Sequence, residues 1–198
     1  MTALGRSLAT ATTELRALGR QFALVGGLAV SVRCEPRLTR DADLAVAVSD
    51  DADAEAIVRQ LLRRGYRLIA MVEQDAANRL ATARMVRDDD TGSIITDLLF
   101  ASCGIEPEIV EAAEPIEILQ ELIVPVATTG DLIAMKLLAR DDRRRPADAD
   151  DLRGLALVAS ASDWERAAYA VELIARRGFA RGRDLEPALA RLREFGAY

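Results

Sequence analysis

Asp41 and Asp43 stand one residue apart in Thr39-Arg-Asp-Ala-Asp-Leu-Ala-Val46, at the head of an apolar run. In an extended chain that spacing turns both carboxylates to the same face. A third acid, Asp97, sits in Ile94-Ile-Thr-Asp-Leu-Leu-Phe100, with apolar residues on either side. Burying it there without a partner is costly, so Asp97 calls for a cation, an arginine or a set of donors. Three carboxylates on adjacent strands form a hard oxygen donor set suited to Mg²⁺ (or Mn²⁺). A pair of such ions bridges a triphosphate and an attacking hydroxyl. Asp41, Asp43 and Asp97 are therefore the expected metal ligands and catalytic carboxylates.

Two further features fit a nucleoside triphosphate. Gly26-Gly27 follows an apolar Phe22-Ala-Leu-Val25 run, where a strand is expected to turn into a helix. Glycine lets backbone approach a phosphate, and a helix N-terminus favours anions. The loop between Gly27 and Asp41 carries Arg33, Arg37, Thr39 and Arg40, all suited to phosphate oxygens. Lys136 is the single lysine beside 25 arginines, and it lies in the apolar run Leu132-Ile-Ala-Met-Lys-Leu-Leu-Ala139. A lysine so surrounded needs an anion, and the triphosphate is the expected one. Downstream, Asp148 and Asp151 stand at helical i, i+3 spacing.

Composition removes other chemistries. The 198 residues include no histidine, which excludes Ser-His-Asp and Cys-His catalysis and His-ligated zinc. The two cysteines, Cys34 and Cys103, have neither zinc-knuckle spacing nor the density of a disulfide scaffold. The first twenty residues are too interrupted by charge for a secretory signal or a membrane span, so a cytoplasmic protein with no membrane partner is expected. The net charge of −6 is concentrated in residues 49–135, which carry seven basic and seventeen acidic residues. A broadly basic nucleic-acid surface is thus excluded, while local arginine clusters remain able to contact phosphate.

Hydrophobic periodicity supplies the elements that must position these groups. Helices are expected near 7–18, 28–33, 52–64, 129–139, 147–159, 162–177 and 184–195. Strands are expected at 22–25, 43–48, 66–73, 81–86 and 93–100, with one more short stretch near 123–126. The acidic Asp88-Asp-Asp-Thr-Gly92 segment reads as the turn of a hairpin. A β-rich front and a helical back make an α+β fold: a mixed sheet core flanked by helices, with a C-terminal helical part. The expected division is a core at 1–127 and a helical subdomain at 128–198.

Val25-Gly-Gly-Leu-Ala, then Arg37-Leu-Thr-Arg-Asp-Ala-Asp43-Leu, then Asp97 in an apolar strand resembles the polymerase-β-type nucleotidyltransferase superfamily. Asp131-Leu-Ile-Ala-Met-Lys136-Leu-Leu-Ala, followed by arginines and Asp148-x-x-Asp151-Leu, resembles more narrowly the AbiEii/AbiGii-type toxins of type IV toxin–antitoxin systems. The resemblance implies the nucleotidyltransferase fold and an NTP-binding set of Gly26, Gly27, Arg40, Lys136 and Asp151. It also implies transfer of a nucleotide from an NTP to an acceptor hydroxyl, the acceptor in some toxins being the 3′ end of a tRNA, and a cognate antitoxin as a partner. Two alternatives stay open. One is a small-molecule acceptor, as in antibiotic nucleotidyltransferases, which the net negative charge favours over RNA. The other is a catalytically idle module that binds NTP without transferring it.

Overall fold

The computed structural model describes residues 2–36, 39, 41–75, 77–89, 92–141 and 147–196. Seven strands form a single mixed sheet in the order β3-β4-β5-β2-β1-β7-β6. In chain order the elements are α1 (Ala3–Ala17), β1 (Phe22–Val25), α2 (Gly26–Arg33), β2 (Ala42–Val46), α3 (Asp51–Arg63), β3 (Arg67–Gln74), β4 (Arg79–Asp89) and β5 (Gly92–Leu99). Then come α4 (Glu106–Ala112), β6 (Glu114–Leu119), β7 (Leu122–Val126), α5 (Thr129–Ala139), α6 (Ala147–Val158), α7 (Ala161–Arg176) and α8 (Leu185–Gly196). The α+β architecture with a helical C-terminal part is the one the sequence implies.

The centre of the sheet is apolar on both faces. All four residues of β1 are buried, as are Leu44, Ala45 and Val46 of β2, because helices cover the sheet on either side. β1 runs antiparallel to β2, and β2 runs parallel to β5 with Asp43 opposite Asp97. β4 continues antiparallel from β5 with Arg84 opposite Asp97, and β3 follows with Ala70 opposite Arg84. Residues directly opposite one another share a face. One face of the sheet therefore carries Asp43, Asp97, Arg84 and Ala70 in a row.

Two elements were not legible in the sequence. α4 is seven residues long with proline in its first turn, too short for a periodic signal. β6 pairs with β7 as a hairpin and forms the outer edge of the sheet, where Pro115 removes no ladder hydrogen bond that the fold needs. A third difference is local: α2 begins at Gly26, so the glycine pair forms the first turn of the helix instead of a loop before it.

α5 is buried nearly all round, from Thr129 to Leu138 with Met135 half-buried, which explains its apolar composition. Its N-terminus is fixed by the Thr128 hydroxyl, which accepts from the Asp131 N–H at 3.1 Å. The fully buried Asp131 carboxylate accepts in turn from Arg166 Nε at 2.8 Å, and burial raises its pKa above the ordinary carboxylate value. Arg166 also donates to the Glu108 carbonyl, tying α4, α5 and α7 together.

Candidate active site

The site begins at the seam between β1 and β2. Gly26 has φ +65, a left-handed conformation natural to glycine. A Cβ at Gly26 would overlap the Asp43 carboxylate and come within 2.6 Å of its Cγ. The missing side chain is thus the seat of Asp43, a role that spacing alone does not reveal.

Across the sheet, Asp97 is nearly buried, with a side chain 9% exposed. Its partner is Arg84, which sequence reasoning did not single out. Arg84 Nε donates to Asp97 Oδ1 at 2.9 Å and Nη2 donates to Oδ2 at 2.6 Å. The same Nη2 lies 3.7 Å from Asp41 Oδ2, so one guanidinium holds Asp41 and Asp97 within roughly 6 Å of each other. Asp97, with smaller contributions from Asp41 and Asp43, holds the Arg84 guanidinium charged well above its already high pKa.

Of the three ways to satisfy Asp97, the structure uses the arginine. Asp43 and Asp97 share one face of the sheet and Asp41 lies beside Arg84; all three offer only hard oxygen donors, the chemistry that Mg²⁺ takes. Among the described residues, however, no three acidic or thiol side chains stand in a metal-holding arrangement. Asp41 and Asp43 offer oxygen donors of the kind a hard cation takes, and both Asp97 oxygens are engaged by Arg84.

Lys136 reaches the same region from α5. A cavity of about 140 Å³ is lined by Gly26, Asp43, Ser102, Cys103, Lys136 and Arg181, with leucines and Met135 completing its wall. Lys136 has anions within the protein as well. Nζ is 2.8 Å from Asp148 Oδ1 and 2.7 Å from Asp151 Oδ2, and all three side chains are buried. The anion demanded by the apolar helix is supplied by α6. Asp151, expected at the NTP, has Lys136 as its immediate partner.

The arginines of the loop sort differently. Arg33 donates to the Ala127 and Val126 carbonyls and to Glu114, so it ties α2 to β6 and β7 and is not directed to phosphate. Arg37 and Arg40 lie outside the described residues. Arg181 and Ser102 were not expected at the site, since each lies in a connecting loop without a motif. Arg181 Nη2 donates to the Ser102 carbonyl at 2.7 Å. Phe179 seats on Gly104, and Arg177 bonds the Gly104 carbonyl and both Glu108 oxygens. The α7–α8 loop is thereby pinned onto the β5–α4 loop at the cavity wall. Cys103 is buried in that wall, and burial pushes its thiol pKa well up, the state of an inert cysteine. A larger cavity of about 890 Å³ between α7 and α8, lined in part by Trp164, Tyr169 and Leu189, contains none of these groups.

The chain is a nucleotidyltransferase by family. More particularly, it belongs to the nucleotidyl transferase AbiEii toxin family of type IV toxin–antitoxin systems, whose model matches residues 11–197. No curated protein matches it. Solved structures similar to it include a putative nucleotidyltransferase from H. pylori, at 16% identity over 96% of this chain and 92% of that one, with a TM-score of 0.45. Another is the lincosamide antibiotic adenylyltransferase LnuA in its lincomycin-bound form, at 14% identity over 78% and 97%, with a TM-score of 0.49. A third is the antibiotic-resistance factor ANT(2'')-Ia, at 16% identity over 94% and 87%, with a TM-score of 0.46. Among the described residues no helix is long and apolar enough to cross a membrane.

Proposed function

We propose that the chain moves a nucleoside monophosphate from an NTP to the hydroxyl of an RNA acceptor, the 3′ end of tRNA, as the toxin of a toxin–antitoxin pair with a cognate antitoxin. The observation that carries this reading is the register of Asp43 opposite Asp97, with Gly26 packed under Asp43 and Lys136 lining the same cavity. In this reading residues 1–127 carry the carboxylates, and 128–198 contribute Lys136 and Arg181. The cavity is smaller than the roughly 300–1,000 Å³ of a whole ligand site. It suits one part of the nucleotide, with the rest along the open face beside Asp41 and Arg84.

Asp41 and Asp43, joined by Asp97 when Arg84 releases it, would hold Mg²⁺ or Mn²⁺. Bound there, the metal would neutralise triphosphate charge and activate the acceptor hydroxyl. The acceptor oxygen attacks the α-phosphorus, the bond to the bridging β-phosphate oxygen breaks, and pyrophosphate leaves. Asp97 accepts the hydroxyl proton. Gly26, Gly27 and Arg40 bind the triphosphate, and Lys136, braced by Asp148 and Asp151, adds positive charge where negative charge develops.

Incubation with each labelled NTP, Mg²⁺ and total tRNA, followed by a gel, tests this. Label on tRNA is expected, and Asp43→Asn should lower it by about 10²–10³-fold. Label transferred only to small hydroxylated antibiotics, the acceptor that the net charge of −6 favours, would replace RNA as the acceptor. NTP binding without any transfer would leave an idle module.

A further inference from the structure

The acidic excess of the chain lies in residues 49–135, whereas residues 136–198 carry thirteen basic against eleven acidic residues. Helical spacing sorts those charges. On α8, Ala188, Arg191, Leu192 and Phe195 stand at i, i+3, i+4 and i+7 and share one face. That face lines a groove of about 270 Å³ between α5, α6 and α8. Glu186 and Glu194 of the same helix line the other groove, between α7 and α8.

The two grooves differ in sign. In the α5–α6–α8 groove Arg191 is joined by Arg140 at the end of α5 and Arg153 of α6, all three exposed, and among the described residues no carboxylate lines it. Arg153 also meets Asp150 at 2.9 Å, but both side chains are more than half exposed and such a pair contributes little. The floor is apolar, formed in part by the buried Leu137 and Leu152, and Phe195 is 47% exposed beside it.

Three guanidinium forks around an apolar floor suit an anion that is flat between its charges. Arginine matches phosphate oxygens with paired donors, and a phenylalanine ring stacks on a base. Bases are free to stack on protein only where the strand is unpaired, so a duplex does not use such a groove fully. The groove also adjoins the site. Leu138 and Ala139 line the cavity that holds Asp43 and Lys136, while Leu137 and Arg140 line the groove. The last turn of α5 is thus a wall of both.

We propose that the α5–α6–α8 groove is the docking surface for the single-stranded end of the acceptor, a proposal that rests on the reading of that acceptor as RNA. The arginines take its phosphates and Phe195 stacks on one of its bases. The test is binding of labelled tRNA, with its single-stranded 3′ end intact or removed, to the full chain over a salt series. Label transfer from NTP to tRNA is measured alongside, with circular dichroism as the check on folding. Intact tRNA should bind more tightly than trimmed tRNA. Arg191→Ala should weaken binding several-fold and flatten the slope of log K against log salt by about 0.7, one phosphate contact to a single strand. Phe195→Ala should weaken binding about tenfold with the slope unchanged, since stacking releases no counterion. Both variants should keep the wild-type affinity for NTP. Equal binding of intact and trimmed tRNA overturns the proposal. So does polyglutamate that displaces tRNA as well as unlabelled tRNA does, which would mark a surface for acidic protein. A wild type that labels tRNA, beside variants that bind and label it undiminished, removes the groove and leaves the RNA reading standing. Transfer only to small hydroxylated compounds ends both.

Discussion

Arg84 grips Asp97 through both carboxylate oxygens, at 2.9 and 2.6 Å, from the position directly opposite it on the neighbouring strand. The guanidinium lies between Asp97 and Asp41; if these carboxylates hold a cation as proposed, the two would compete for the same oxygens. Arg84→Ala removes the competitor and leaves a nearly buried carboxylate without its partner. The Arg84 side chain is 42% exposed, so the stability lost in EDTA should be modest, about 1–3 kcal/mol. Divalent metal should return part of that loss. Mn²⁺ affinity without nucleotide, read by electron paramagnetic resonance, should rise roughly tenfold, the scale of one charge-assisted hydrogen-bonded pair. Equal affinity in variant and wild type would show that Arg84 and cations do not compete for Asp97.

Gly26 is expected to be far less replaceable than its neighbour Gly27. A side chain at position 26 meets both the left-handed backbone at φ +65 and the Asp43 carboxylate. Gly26→Ala should cost about 1–3 kcal/mol of stability and displace Asp43, lowering transfer as well. Gly27 lies in the first turn of α2 without a positive φ, and alanine there should keep or slightly raise stability, since alanine is the better helix former. Thermal melts of the two variants measure the contrast. Similar losses for both would remove the special place given to Gly26.

The legibility of this fold follows from where its signals are local. β1 and α5 could be read because an unbroken apolar run belongs to an element buried on all sides, whatever its neighbours do. α4 and β6 could not, being short, rich in glutamate and interrupted by proline. At the site, Asp41, Asp43 and Asp97 stood out because acids beside apolar residues demand an explanation. Arg84 was hidden in an arginine-rich chain, since its meaning depends on β4 pairing with β5 in one register. Arg33 shows the converse: a favourable place in the sequence, but a guanidinium directed to the backbone of β7.

The pinning of the α7–α8 loop should appear in the acid limb of stability. Arg177 holds the Glu108 carboxyl below its ordinary range through hydrogen bonds to both oxygens. A carboxyl depressed in the folded state contributes stability above its unfolded pKa and loses it as pH falls through the folded value. Arg177→Ala should therefore be less stable than wild type at neutral pH, by about 0.5–1 kcal/mol given the partial exposure of the pair. The gap should narrow as the solution is acidified through the carboxylate range. Chemical denaturation along a pH series measures it, and a gap independent of pH would mean that the ion pair with Glu108 is not its source.

Lys136 provides the sharpest separation of structure from chemistry. Read from sequence, it is a nucleotide ligand. With Asp148 and Asp151 on its amine in a buried cluster, Lys136→Ala instead removes the cation between two buried carboxylates and should destabilise by about 3–5 kcal/mol. Loss of activity in that variant would thus say little about catalysis. The informative variant is Lys136→Met with Asp148→Asn and Asp151→Asn, which removes all three charges while nearly keeping their volumes. Replacing buried charges together by uncharged groups of similar volume is often close to neutral, so this variant should melt nearer the wild type than Lys136→Ala does. If the positive charge at the cavity serves the reaction, transfer should nevertheless fall about a hundredfold, with NTP binding weakened as well. A triple variant as stable and as active as the wild type would reduce Lys136 to a buried strut between α5 and α6.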